Sequence, residues 1–99
     1  MKTSTLTGKA LDWAVNYAEG LNNIFTPVNY CGKWEHGGPL IERERICPCP
    51  SNTVAGSPWS ATDLSGHITQ FGPTPLIAAM RCYVASKLGD DVDVPPDLV

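Results

Sequence analysis

The stretch from Thr74 to Gly89, TPLIAAMRCYVASKLG, limits what this chain can fold into more than any other. Thr74 can cap a helix through its hydroxyl, and Pro75 follows at a position where a missing N–H costs nothing. Leu76, Ile77, Met80, Tyr83, Val84 and Leu88 then recur at helical spacing as one broad apolar stripe. Lys87 suits the negative end of the helix dipole, and Gly89 supplies a stop. The spacing predicts a helix over 75–88 that has to be buried. A chain of 99 residues supports one domain with one small core, so this helix accounts for much of it.

A second periodic segment, TGKALDWAVNYAEGL, predicts a helix over 8–19, with Thr7 capping through its hydroxyl and Gly20 as the stop. Leu11, Ala14, Val15 and Ala18 form its apolar stripe. Trp13 and Tyr17, four apart, lie on a neighbouring face, with Trp13 in the core or at a subunit interface. After the Asn22–Asn23 turn signal, Ile24, Phe25, Val28 and Tyr30 are strand-like but interrupted by Pro27, as in an edge strand or extended loop. Residues 51–73 are rich in Ser, Gly, Thr and Pro. SPWSATD reads as a strand with Trp59 and Ala61 on one face, and 67–71 as a further short one. Val92 and Val94 permit a last short strand before Pro95–Pro96.

These elements make an α+β fold: two amphipathic helices packed on a small, mostly antiparallel sheet of about three short strands. Residues 1–89 read as one globular domain and 90–99 as an acidic, Pro-containing tail.

Hydrophobic residues make up 42% of the chain and charged ones 17%, a globular rather than a disordered balance. The net charge of −3 disfavours general nucleic-acid binding. The tail holds Asp90, Asp91, Asp93 and Asp97 and no base, which leaves the body near neutral. Nothing reads as a signal peptide, and no apolar run reaches the roughly 18 residues that span a bilayer, so the expected location is the cytoplasm. Cys31 stands alone, Cys47 and Cys49 form CPC, and Cys82 sits in the helical pattern. That spacing does not make a zinc site. The cysteines read as reduced thiols that pack, and no metal or cofactor is expected.

WEHGGPLIERERI, Trp34 to Ile46, is a poor strand because neither alternating face is apolar. It reads better as a Gly37–Gly38 hinge, a helical turn over 39–44 begun by Pro39, and a strand over 45–48. Glycine amides and a free helix start can seat an anion, and Arg43 and Arg45 can bind phosphate bidentately. The plainer reading is a solvated turn with internal Glu–Arg pairs. FGPTPL offers a similar seat at Gly72 and Thr74, although a capped, ligand-free helix start is the commoner case. Trp34 can stack on a base. Arg81 lies off the apolar stripe and reads as a surface residue, an interface contact or a phosphate ligand. The candidate binding residues are therefore Trp34, Gly37, Gly38, Arg43, Arg45, Thr74 and Arg81. No nucleophile–base motif accompanies Glu42 and Glu44, and Ser65-Gly66-His67 matches no catalytic arrangement, so no enzyme is expected.

LTGKALDWAVNYAEG, GGPLIERERI and FGPTPLIAAMRCYVASKLGDDVDVPPDL resemble the NinX-like proteins of tailed phages. The resemblance spans nearly the whole chain, apart from CPC and the segment 51–57. It implies a small phage or prophage accessory protein made in the bacterial cytoplasm, and it brings no catalytic residues. With that context, the expected role is counter-defence: a non-enzymatic, homo-oligomeric protein sequestering a small, anionic, nucleotide-derived signalling molecule of the host. The rival expectations are an inhibitor docking on a host defence enzyme or nuclease, and a small nucleotide hydrolase.

Overall fold

The computed structural model describes residues 2–20, 32–51 and 58–94. A 3-10 turn at Thr3–Thr5 leads into α1 (Gly8–Ala18), then α2 (Trp34–Glu44), β1 (Cys47–Pro50), β2 (Trp59–Thr62), β3 (Thr69–Gly72) and α3 (Pro75–Leu88). The three strands form an antiparallel meander in the order β1-β2-β3. Its register pairs Cys47 with Thr62 and Pro50 with Trp59, then Trp59 with Gly72 and Thr62 with Thr69. The fold is α+β, and α1, α3 and β2 fall where their sequence patterns place them. The strand-like residues Ile24 to Tyr30 lie outside the described residues.

Helix α3 is the hub, touching β1, β2, β3, α1, α2 and the N-terminal turn. Its stripe residues Leu76, Met80, Tyr83 and Val84 are buried, and so are Ala78, Ala79, Cys82 and Ala85 between them. The small side chains let neighbours close in on every side. Thr74 caps this helix as expected, its Oγ1 accepting the Ile77 N–H at 3.1 Å, and Gly89 ends it at φ 87. Gly72 is needed just before the turn into α3: a Cβ there would stand 2.8 Å from the Ala78 nitrogen. The close approach of β3 to the start of α3 therefore excludes any side chain at 72.

Three local expectations are corrected. Thr7 does not cap α1 through its hydroxyl; its backbone carbonyl accepts from Leu11 N–H. Val92 and Val94 form no strand. Only an isolated bridge joins Asp91 to Lys2, while Thr3 donates to Asp90 O at 2.8 Å and to Gly89 O at 2.6 Å. Val92 is buried in the core, so the first residues after α3 are tied down against the N-terminal segment.

The third correction is the largest. Trp34 to Glu44 is one helix of three turns, running straight through Gly37 and Gly38 with Pro39 inside it. Two glycines and an internal proline are costly in a helix, about 1 kcal/mol for each Gly and about 3 for Pro relative to Ala. Burial of Leu40, with Ile41 half-buried beside it, offsets that cost. The Trp34 ring lies over Gly38, 3.5 Å from where a Cβ would stand. Arg45 closes the helix in the left-handed conformation, φ 54 and ψ 44. Ile46 N–H donates to Ile41 O and Arg45 N–H to Glu42 O, the paired bonds of a Schellman motif. Strand β1 accordingly starts at Cys47 rather than at Arg45. Among the described residues, no helix is long and apolar enough to cross a membrane.

Candidate functional site

The C-terminal ends of α1, α2 and α3 meet around the Tyr83 ring. Glu19, just past α1, receives Arg43 bidentately, with Nη1 to Oε1 at 2.9 Å and Nη2 to Oε2 at 2.6 Å. Arg43 Nε donates to Glu44 at 2.9 Å, and Lys87 Nζ lies 3.1 Å from the other Glu44 oxygen. The Tyr83 hydroxyl donates to Glu19. The Arg43 guanidinium and the Lys87 ammonium each stand 5.9 Å from the centre of the Tyr83 ring, within cation–π range. Tyr83 and Lys87 share a face of α3 because they are four apart.

The charge states follow from these contacts. The Arg43 guanidinium, and after it the Tyr83 hydroxyl, hold Glu19 below the ordinary carboxylate value against the opposing effect of burial. Arg43 and then Lys87 do the same for Glu44. Burial, then donation to Glu19, pushes the Tyr83 hydroxyl upward. The two carboxylates are ionised and the tyrosine protonated at neutral pH.

Beside this cluster lies an open cleft of about 450 Å³. Arg43, Glu44, Ser86 and Lys87 form one wall and the β2–β3 turn, Asp63 to Ser65, the other, with Ile46 also lining it. The turn is rigidly built. The Asp63 carboxylate accepts from Ser65 Oγ at 2.7 Å and from Ile68 N–H at 3.1 Å. Donation from the Ser65 hydroxyl, then from the Ile68 amide, holds the Asp63 carboxyl below the ordinary aspartate value. The cleft thus presents two cations, two carboxylates and two hydroxyls side by side. A second cleft, of about 330 Å³, is lined by Trp13, Tyr17, Leu88, Asp91, Val92 and Asp93.

Of the seven candidate binding residues, only Arg43 lines either cleft. Trp34 is exposed at the far end of α2, nine residues and so about 13 Å along the axis from Arg43. Gly37 is buried and Gly38 half-buried within the helix, so they form no hinge and no anion seat. Arg45 is exposed at the helix stop. Thr74 is engaged in its cap, the ligand-free reading of that motif. Arg81 is neither a surface residue nor a free cation. It is 7% exposed and donates to Leu6 O at 2.8 Å and Phe71 O at 2.6 Å, tying the N-terminal segment to β3 across α3.

The sequence reading missed Glu19, Asp63, Ser65, Tyr83, Ser86 and Lys87 as neighbours in space. The i, i+4 spacing of Tyr83 and Lys87 was available; nothing local joins Glu19 to Arg43, 24 residues apart. The cysteines divide. Cys82 is buried and packs, its thiol pushed up to about 12 by burial and then by the Asp63 charge. Cys47 and Cys49 do not pack; both are exposed, with sulfurs 3.4 Å apart. Cys31 lies outside the described residues. Among the described residues, no group of three or more His, Cys, Asp or Glu side chains is placed to hold a metal.

Comparison with known proteins bears on which cleft matters. The family model described as Bacteriophage P22, NinX matches residues 25–87. The chain belongs to this family. No curated protein matches it. The NinX match runs through α2, the whole sheet and α3 as far as Lys87, and every residue lining the larger cleft falls inside it. Every residue lining the smaller cleft falls outside it. What a NinX-family chain holds in common with its relatives is therefore to be sought first at the Arg43–Lys87 cleft.

Proposed function

We propose that this NinX-family chain is a non-enzymatic phage accessory protein of counter-defence, which sequesters a small nucleotide-derived signalling molecule inside the infected bacterial cell. The observation that carries this reading is the composition of the larger cleft. Its volume suits a small ligand. Arg43 and Lys87 can take phosphate oxygens. Glu44, Asp63, Ser65 and Ser86 can take ribose hydroxyls, much as acidic residues do in dinucleotide sites. Because the cations are already paired with carboxylates, a simple anion gains little there. A ligand carrying both phosphate and hydroxyl groups finds a partner for each. The cleft is open, so a second copy of the chain closing over it would exclude solvent, and a homodimer belongs to the proposal.

The absence of catalysis is part of the proposal too. The Ser65 hydroxyl accepts from the backbone N–H of His67 and donates to Asp63, an arrangement that builds a turn and activates no nucleophile.

The test is to incubate the protein with cyclic dinucleotides and cyclic ADP-ribose isomers, remove free ligand, denature by heat and analyse what is released. Intact ligand is expected. Altered ligand would make the protein an enzyme, and release of nothing from the whole panel would overturn capture. Arg43→Ala and, independently, Lys87→Ala should each reduce retained ligand at least tenfold with the circular dichroism unchanged. Retention equal to wild type in both would remove the ligand from this cleft.

A further inference from the structure

The smaller cleft has a different chemistry. Trp13 and Tyr17, four apart on α1, stack with ring centroids 5.2 Å apart and planes 27° apart. Both rings line the cleft, and Tyr17 is 47% exposed. Leu88 at the end of α3 and buried Val92 extend the apolar surface. Asp91 and Asp93, on either side of Val92, are exposed at its rim. Among the described residues neither carboxylate makes an ion pair. Lys2 meets Asp91 through the backbone bridge alone, and Lys87, the nearest base in sequence, is bound to Glu44. Here negative charge stands beside an aromatic surface, and no cation among the described residues pairs with it.

The geometry points to a docking groove for a basic segment of a partner protein, with an arginine side chain as its anchor. A guanidinium laid on the exposed aromatic pair gains a cation–π contact. Its methylene stem covers Leu88 and Val92, and its donors reach Asp91 and Asp93 in charge-assisted hydrogen bonds. Arginine on an aromatic surface is also the usual make-up of an interface hot spot. Because neither carboxylate has an ion pair among the described residues, they attract a basic partner from about 8 Å away at physiological salt. Residues 95–99 contain Asp97 and no base, so they do not complement the charge. This groove shares no lining residue with the Arg43–Lys87 cleft, and either can act without the other.

The test is selection of dodecapeptides from a random display library on the folded wild-type protein, followed by affinity measurement on the synthesised winners. Enriched peptides should share an arginine or lysine at one position. Their affinity should fall at least tenfold on the Asp91→Asn/Asp93→Asn double variant, at least tenfold on Tyr17→Ala, and at least tenfold when the shared base is replaced by glutamine. Circular dichroism confirms that both variants fold. No enrichment, enriched peptides without a shared base, or equal affinity for the Asn variant would overturn the proposal. So would a wild-type dimer that Tyr17→Ala dissociates, which would assign this face to a second copy of the chain.

Discussion

The two clefts described differ in one respect that governs the rest: in one the cations are already paired with carboxylates, in the other two carboxylates have no ion pair among the described residues. Around the larger cleft Arg43, Glu44 and Lys87 neutralise one another and Glu19. At the smaller one Asp91 and Asp93 face an aromatic pair without a counter-charge among the described residues. A paired cleft discriminates, because a ligand must exchange every bond it breaks and only a molecule with matching donors and acceptors does so without loss. A cleft with free charge attracts, because any cation of suitable shape gains. The first suits a specific small molecule and the second a flexible basic segment. The family match covers all of the first and none of the second.

Arg81 offers the severest test of whether the clefts are independent, since it lies in neither and underpins both. Its guanidinium joins the segment leading into α1, which carries the aromatic pair, to β3, which adjoins the Asp63–Ser65 turn. Arg81→Met leaves the Leu6 and Phe71 carbonyls without that donor in the interior. The expected loss is about 3–5 kcal/mol in chemical denaturation, since each of two interior carbonyls loses a hydrogen bond from a charged donor. Both binding activities should fall together in proportion to the unfolded fraction. If one cleft kept its ligand while the other failed at full folding, the two halves would be less coupled than this staple implies.

Arg43→Ala should separate the clefts. Arg43 is half-exposed, so its pairs are screened and the stability lost should be about 1 kcal/mol. Peptide docking at the aromatic groove should stay as in wild type. The pH dependence sharpens this. Glu19 and Glu44 titrate below their ordinary 4.5 in the fold, so their stabilisation is present above pH 4.5 and is lost as pH falls through the lower folded values. Tyr83 titrates above its ordinary 10.0, so its contribution is present below pH 10 and is lost as pH rises beyond it. Denaturation at pH 3 and at pH 7 should give a smaller difference between wild type and Arg43→Ala at the lower pH. An equal difference at both would mean that the ion pairs do not form in solution.

How much of this was legible depended on whether the deciding interactions were local. Helix α3 was legible, because Thr74, Pro75, the stripe and Gly89 are signals read within a few residues of one another. Helix α2 was not. Gly37, Gly38 and Pro39 all argue locally against a helix interior, and burial of Leu40 overrides them. Arg81 was misread for the opposite reason: the pattern of α3 suggests one apolar face, but the helix is enclosed on every side from Ala78 to Ala85, so a residue off the stripe is still buried there. Of the site, Arg43 alone was found. Its chemistry was visible in the sequence, but its partners Glu19 and Tyr83 arrive from other helices and leave no mark near it.

Arg45, which reads in the sequence as a phosphate ligand beside Arg43, gives the smallest effect and separates backbone from chemistry. Its left-handed conformation, with the two closing hydrogen bonds of α2, is a position that glycine fills without the Cβ penalty. For a non-glycine residue that penalty is about 1–2 kcal/mol, and the greater chain entropy of glycine in the unfolded state offsets part of it. Arg45→Gly should therefore stabilise the protein by about 0.5–1 kcal/mol. Because the Arg45 side chain lines neither cleft, the same variant should retain both the nucleotide ligand and the basic peptide at wild-type affinity. A variant more stable than wild type yet unable to hold the nucleotide would return Arg45 to the binding site and extend the larger cleft past the end of α2.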